Sequence, residues 1–194
     1  MSQRLVKLSS PCRALAPAAL VALALSCLVL TLAPRSAHAV AQTRKATRAS
    51  DPASLLRSRL LWATIDVCNA TDQPDTIGIR GSMPGDHVAH DAMFMRFRLQ
   101  YMNTTTKAWV DLTKGAAEAY TNVGTGASAR QAGRSFQLNP VAGQPAFTLR
   151  GVVNFEWRRR GTVIAQASRA TSAGRVSLAG SDPEGFSAAS CLIG

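Results

Sequence analysis

Histidine is scarce in this chain, three residues in 194, and no Gly-x-Ser-x-Gly elbow occurs. Nucleophilic hydrolysis needs a serine or cysteine beside a positioned base, yet His87 and His90 share one short loop. Gly124-Thr125-Gly126 lacks the Lys-Ser/Thr sequel and the strand-to-helix setting of a phosphate loop. No long segment carries a helical apolar period, which argues against a bundle. A paired-carboxylate glycosidase would draw on Asp66, Glu118 or Glu156, each expected on an outward strand position or in a loop. No cofactor motif occurs. The expectation is a non-catalytic protein, with a secreted hydrolase as an alternative.

Acidic residues are absent from the first 39 positions. What stands there has the three parts of a secretory signal peptide: a basic start (Arg4, Lys7, Arg13), an apolar run from Ala14 to Ala33, and the small-residue site Ala37-His38-Ala39. The basic end stays on the negative side of the membrane and fixes orientation. Pro34 breaks the helix before the cleavage site. No Arg-Arg pair precedes the apolar run, which argues against twin-arginine export. Cys27 lacks a leucine three residues upstream, which argues against a lipoprotein anchor. The run is long enough to span a bilayer, so an uncleaved anchor is the alternative and would be the sole membrane contact. Cleavage would start the mature chain near Val40.

Charge shrinks with the leader. Of a net +11, residues 1–39 contribute four (Arg4, Lys7, Arg13, Arg35), leaving +7. Residues 40–59 hold Arg44, Lys45, Arg48, Arg57 and Arg59 against Asp51, or +4, so the body from 60 to 194 carries only +3. A basic balance suits nucleic acid, anionic lipid or an acidic polymer, but export removes the nucleic-acid reading. The 40–59 segment, rich in Ala, Ser, Thr and Arg, reads as a flexible basic linker, with a short helix at Pro52–Leu61. Its charge serves solubility or rests on anionic envelope polymers.

Two cysteines survive leader removal, Cys68 and Cys191. In an exported protein of this size they are expected to pair, tying an early strand to the chain's end. The chain-entropy model gives such a loop roughly 4–5 kcal/mol.

Period-two alternation recurs through the body. It runs through Leu61–Val67, Ile77–Ile79, Met93–Tyr101, Val110–Leu112, Phe136–Leu138, Phe147–Trp157 and Val163–Ala167, with Gly, Pro and Asn between. About seven strands at this spacing predict an all-β fold: an immunoglobulin-like antiparallel β-sandwich over residues 60–194, each sheet with one wet face. Arg159-Arg160-Gly161 reads as a hairpin turn, with Gly161 free to take positive φ.

Arg158, Arg159 and Arg160 at that tip suggest a cationic fingertip for an anionic partner, or a solvated hairpin end that resists aggregation. Arg96 and Arg98, on the polar face of the Met93–Tyr101 strand, would extend a basic surface. Asp86, His87, His90 and Asp91 form the one cluster of metal-ligand types, though His-x-x-His is a weak signal and solvated loop residues are the default. Asn69-Ala-Thr71 and Asn103-Thr-Thr105 fit the glycosylation sequon but read as turns.

Several segments carry a resemblance: Thr64-Ile-Asp-Val-Cys-Asn69, Asp75-Thr-Ile-Gly-Ile-Arg-Gly-Ser-Met-Pro-Gly85, Met95-Arg-Phe-Arg-Leu-Gln-Tyr101, Gln131-Ala-Gly-Arg-Ser-Phe136, Leu149-Arg-Gly-Val-Val-Asn-Phe-Glu-Trp-Arg158 and Asp182-Pro-Glu-Gly-Phe-Ser-Ala-Ala-Ser-Cys191. Together they resemble a group of uncharacterised small exported proteins of high-GC bacteria, with an immunoglobulin-like or fibronectin-type pattern. The resemblance implies export and implies no activity. Trp157 does not lie in the Cys–Trp–Cys arrangement of antibody domains. The functional expectation is a secreted or envelope-associated binding module for a protein or an anionic surface polymer, using edge strands and loops. A small-ligand or metal carrier is the alternative from another class.

Overall fold

A computed structural model describes residues 49–112, 119–175 and 178–194. The expected leader, the first part of the linker and Glu118 lie outside them. The described residues belong to one compact unit. Among the described residues it contains one short helix, α1 (Pro52–Arg57), and nine strands. In chain order the strands are β1 (Trp62–Ala70), β2 (Gln73–Met83), β3 (Ala92–Asn103), β4 (Ala108–Asp111), β5 (Thr121–Thr125), β6 (Arg130–Gln137), β7 (Phe147–Arg159), β8 (Thr162–Ala170) and β9 (Cys191–Ile193). Seven coincide with the expected set. The two additions, β5 and β9, are short and carry little apolar alternation.

The named strands pair antiparallel. A small sheet runs β1-β2-β6 and a large one β4-β3-β7-β8; β5 pairs with β3 and β9 with β7. This division is that of an immunoglobulin-like sandwich. β3 and β7 form the spine of the large sheet, in register from Ala92↔Arg158 to Tyr101↔Leu149. Ile65, Ile77 and Ile79 of the small sheet pack with Met95, Phe97, Leu99, Val153, Phe155 and Trp157 of the large one. These side chains fill the space between the sheets. At Gly151 the sheets approach so closely that a Cβ would lie 2.6 Å from Ile79 Cδ1.

β1 departs from simple alternation. Trp62, Thr64 and Asp66, expected on a wet face, are buried along with Ala63, Ile65 and Val67. The cause is the C-terminal tail, which covers this strand. Ile65 exchanges backbone hydrogen bonds with Ala188, Asp182 N donates to Asp66 O, and the Thr64 and Ser187 hydroxyls meet at 2.8 Å. Asp66 sits at a break in the β1–β2 register and accepts from Arg80 Nε at 2.7 Å. Cys68 and Cys191 are joined, with Cα atoms 5.5 Å apart, so the bridge links β1 of one sheet to β9 of the other.

The linker's last part is packed rather than loose. Leu55 of α1 is 2 % exposed and joins the core, and Ser50 N donates to Asp86 O. The helix ends at Arg57, before the expected Leu61. Both sequon asparagines serve turns. Asn69 Oδ1 accepts from Asp75 N, and Asn103 Oδ1 accepts from Thr105 N and Thr106 N.

Candidate functional site: the cationic face of the large sheet

Strand alternation decides where the arginine triplet goes. Neighbours on a strand point to opposite faces, so Arg158 and Arg159 part company. Arg158 lies on the outer face, with its guanidinium 4.1 Å from the Phe94 ring centroid and Nε donating to Glu156 Oε2 at 2.8 Å. Arg159 turns to the other side and grips Asp91, with Nε–Oδ2 2.9 Å and Nη2–Oδ2 2.7 Å. Arg160 occupies the turn itself with φ +49°, followed by Gly161 at +84°. That is the two-residue geometry matching hairpin twist. The triplet is therefore not one fingertip: of the three, Arg158 and Arg159 are half-buried and Arg160 is exposed.

The outer face of β3 and β7 brings together residues that sequence could not align. Phe94 lies opposite Glu156, Arg96 opposite Asn154, and Gln100 opposite Arg150. β5 runs back along β3 with Met95 opposite Thr121, which sets the preceding Tyr120 beside Arg96. Arg96 lies 5.0 Å and Arg158 5.4 Å from the Tyr120 ring centroid, so the phenol stands between two guanidinium groups. Each contact of this kind contributes about 0.5–1 kcal/mol when exposed and more when desolvated.

Further down the same face, Arg150 stacks over Trp109 of β4 at 4.4 Å and donates from Nε to Gln100 Oε1. Gln100 Nε2 and Arg98 Nη1 both donate to Asp111, and Arg98 Nε donates to Asn154 Oδ1 at 3.0 Å. The result is a continuous strip of four arginines interleaved with three aromatic rings and countered by Glu156 and Asp111. Burial lowers the Arg150 guanidinium below its ordinary value. Burial and the adjacent Glu156 carboxylate raise the Tyr120 phenol.

Beside Tyr120 lies a cleft of about 320 Å³, lined by Tyr120, Asn154, Gln166, Ala167 and Ser168. Sequence reading had picked out Arg96, Arg98 and Arg158 here but not Arg150, Tyr120 or Trp109. Arg150 was visible as a polar alternate of the Phe147–Trp157 run. Tyr120 and Trp109 carry no local signal, because only strand pairing brings them to the arginines.

The Asp86–Asp91 loop is arranged differently from the solvated loop expected. Asp86 and Asp91 are each 0 % exposed and face Arg159, while His87 and His90 point outward. Asp86 Oδ1 accepts from Val88 N at 3.0 Å, and Oδ2 lies 3.7 Å from Arg159 Nη2. Burial, then the neighbouring Asp91, push the Asp86 carboxyl up. The Arg159 guanidinium holds Asp91 down. Among the described residues no group of three or more His, Cys, Asp or Glu is arranged to hold a metal ion.

Asp66 and Glu156, two of the acids weighed for glycosidase chemistry, are also buried where a wet position was expected. Asp66 is 5 % and Glu156 8 % exposed, each covered by the arginine it binds, Arg80 and Arg158 respectively.

Neither a family model nor a curated protein matches the chain. Among solved structures it is similar to Bacteroides uniformis beta-glucuronidase 2, at 12 % identity and TM-score 0.32 over 59 % of this chain and 13 % of that one. It is also similar to Pseudomonas fluorescens alkylpurine DNA glycosylase AlkC, at 14 % identity and TM-score 0.30 over 58 % of this chain and 29 % of that one. The chain thus spans less than a third of either protein's length, and likenesses this slight carry no argument about function.

Proposed function

We propose that the protein is an exported, non-catalytic binding module that engages an anionic polymer, or the anionic surface of an envelope protein, through the outer face of its large sheet. The observation that carries this reading is Tyr120 held between Arg96 and Arg158, on a face where four guanidinium groups meet two carboxylates. Ring contacts restrain Arg96, Arg150 and Arg158, so less side-chain freedom is lost when an anion docks. The Cys68–Cys191 bridge fits an oxidising compartment, and the basic, apolar and small-residue order of residues 1–39 fits export.

The test is the double variant Arg96→Glu/Arg150→Glu, since neither side chain is hydrogen-bonded to a carboxylate among the described residues. Affinity for a polyanionic glycan should fall at least about tenfold with the melting temperature little changed, and wild-type binding should weaken as salt screens the face. Undiminished binding by the double variant would discard this face. Intact mass of the exported protein, expected to begin near Val40, tests the compartment separately.

A further inference from the structure

Arg96 differs from the other arginines of the strip. Arg98, Arg150 and Arg158 each donate to a carboxylate or amide oxygen. Arg96 contacts the Tyr120 ring, and its Nε is buried without a hydrogen-bond partner. A buried donor lacking an acceptor is costly, and an incoming acceptor relieves that cost.

What lies beside Arg96 completes the picture. The β3–β7 and β7–β8 registers place Arg96, Asn154 and Ser168 side by side on three adjacent strands, at the roughly 5 Å spacing of a sheet. Asn154 gives its carbonyl oxygen to Arg98, which leaves its amide hydrogens available. The Ser168 hydroxyl and the Gln166 amide make no hydrogen bond within the described protein, and both residues are exposed. Asn154, Ser168 and Gln166 line the cleft beside Tyr120, and no carboxylate is among its described lining residues. Glu156, which neighbours Tyr120, is already bound by Arg158.

We propose that this row is an oxyanion subsite. Arg96, Asn154 and Ser168 take one carboxylate or phosphodiester group of a hydroxylated glycan chain, while Gln166 meets the hydroxyls of the unit bearing it. Planar donors suit either group, because a guanidinium presents paired N–H groups at the separation of two oxygens. The inference rests on the reading of this face as polyanion-binding and adds a defined seat to it.

The experiment is calorimetric titration of the purified protein with three hexamers: a uronate, a polyol phosphodiester and a neutral sugar. The Arg96 Nε–H resonance is followed in parallel by NMR. Arg96→Lys keeps the charge but loses the planar fork, and Ser168→Asp places a like charge in the row from an exposed edge strand. Either variant should weaken the preferred anionic hexamer at least about tenfold, and the wild-type Nε–H signal should shift downfield on binding. The stronger of the two anionic hexamers identifies the oxyanion. Wild-type affinity in both variants would overturn the subsite while leaving the face as a diffuse polyanion surface. Equal binding of the neutral hexamer would also overturn it. Failure of wild type to bind either polyanion would overturn the subsite together with the polymer-binding reading of this face.

Discussion

Arg159 and Asp91 face each other across the hairpin end of the sandwich, with two guanidinium nitrogens on one fully buried carboxylate. Asp86 stands alongside, its Oδ2 without a hydrogen bond and 3.7 Å from Arg159 Nη2. Two carboxyl groups and one guanidinium therefore share a small enclosed space, and the two acids are driven apart in acidity.

Asp91 has a folded pKa below its ordinary 3.8, so its stabilisation is present above that value and is lost as pH falls through the depressed one. Asp86 is raised above 3.8, so its contribution is complete in acid and is lost as pH rises through the raised value. Asp86→Asn retains an uncharged hydrogen-bonding group at every pH. It should match or exceed wild-type stability at neutral pH and lose that advantage in acid. Asp91→Asn should cost about 1–2 kcal/mol at neutral pH, a reduced figure because the Arg159 side chain is 42 % exposed. Chemical denaturation across pH separates the two variants; a costly Asp86→Asn at neutral pH would refute the assignment.

Gly126 makes room for this cluster. A Cβ there would lie 2.0 Å from Asp86 Oδ1 and 2.8 Å from Val88 O. Gly126→Ala should destabilise by about 1–3 kcal/mol, and a melting temperature equal to wild type would show that the loop adapts.

Trp157 is fully buried, and its Nε1 donates to Pro84 O at 2.8 Å, fastening the start of the same loop to the core. Trp157→Phe removes that donor and leaves both a smaller ring and an unsatisfied carbonyl. The expected loss is about 1–3 kcal/mol, read from denaturant unfolding, with faster amide exchange at His87, whose N–H bonds Gly126 O.

Replacing both cysteines by serine should lower stability by about 2–5 kcal/mol, and reductant should do the same to wild type. Stability unchanged by reduction would mean that the tail's contacts to Ile65 and Asp66 hold it without the bridge.

The sandwich was legible in the sequence because its long strands alternate cleanly: the Met93–Tyr101 and Phe147–Trp157 runs became β3 and β7, the spine of the large sheet. β9 was not legible, since three residues carry no period and its partner segment, Phe147–Leu149, is distant in the sequence. The wet face assigned to Trp62, Thr64 and Asp66 failed for a related reason: a tail more than 100 residues away, in the sense that Thr64 and Ser187 are 123 positions apart, covers it. At the candidate site, polarity on alternate positions revealed Arg96, Arg98 and Arg158. Their neighbours depend on the pairing of β3 with β4, β5 and β7, which no local pattern encodes. The fingertip reading missed the alternation that its own strand imposes on Arg158 and Arg159.

The bridge between Cys68 and Cys191 also governs how the molecule would respond to a pull on its ends. Residues 69–190 lie within the covalent loop that it closes, so tension entering before β1 and leaving at Gly194 bypasses them. Force would reach α1 and most of β1, and the arginine strip would bear none of it along its backbone. A pull on the two ends therefore leaves the backbone of that face unloaded until the disulfide is reduced.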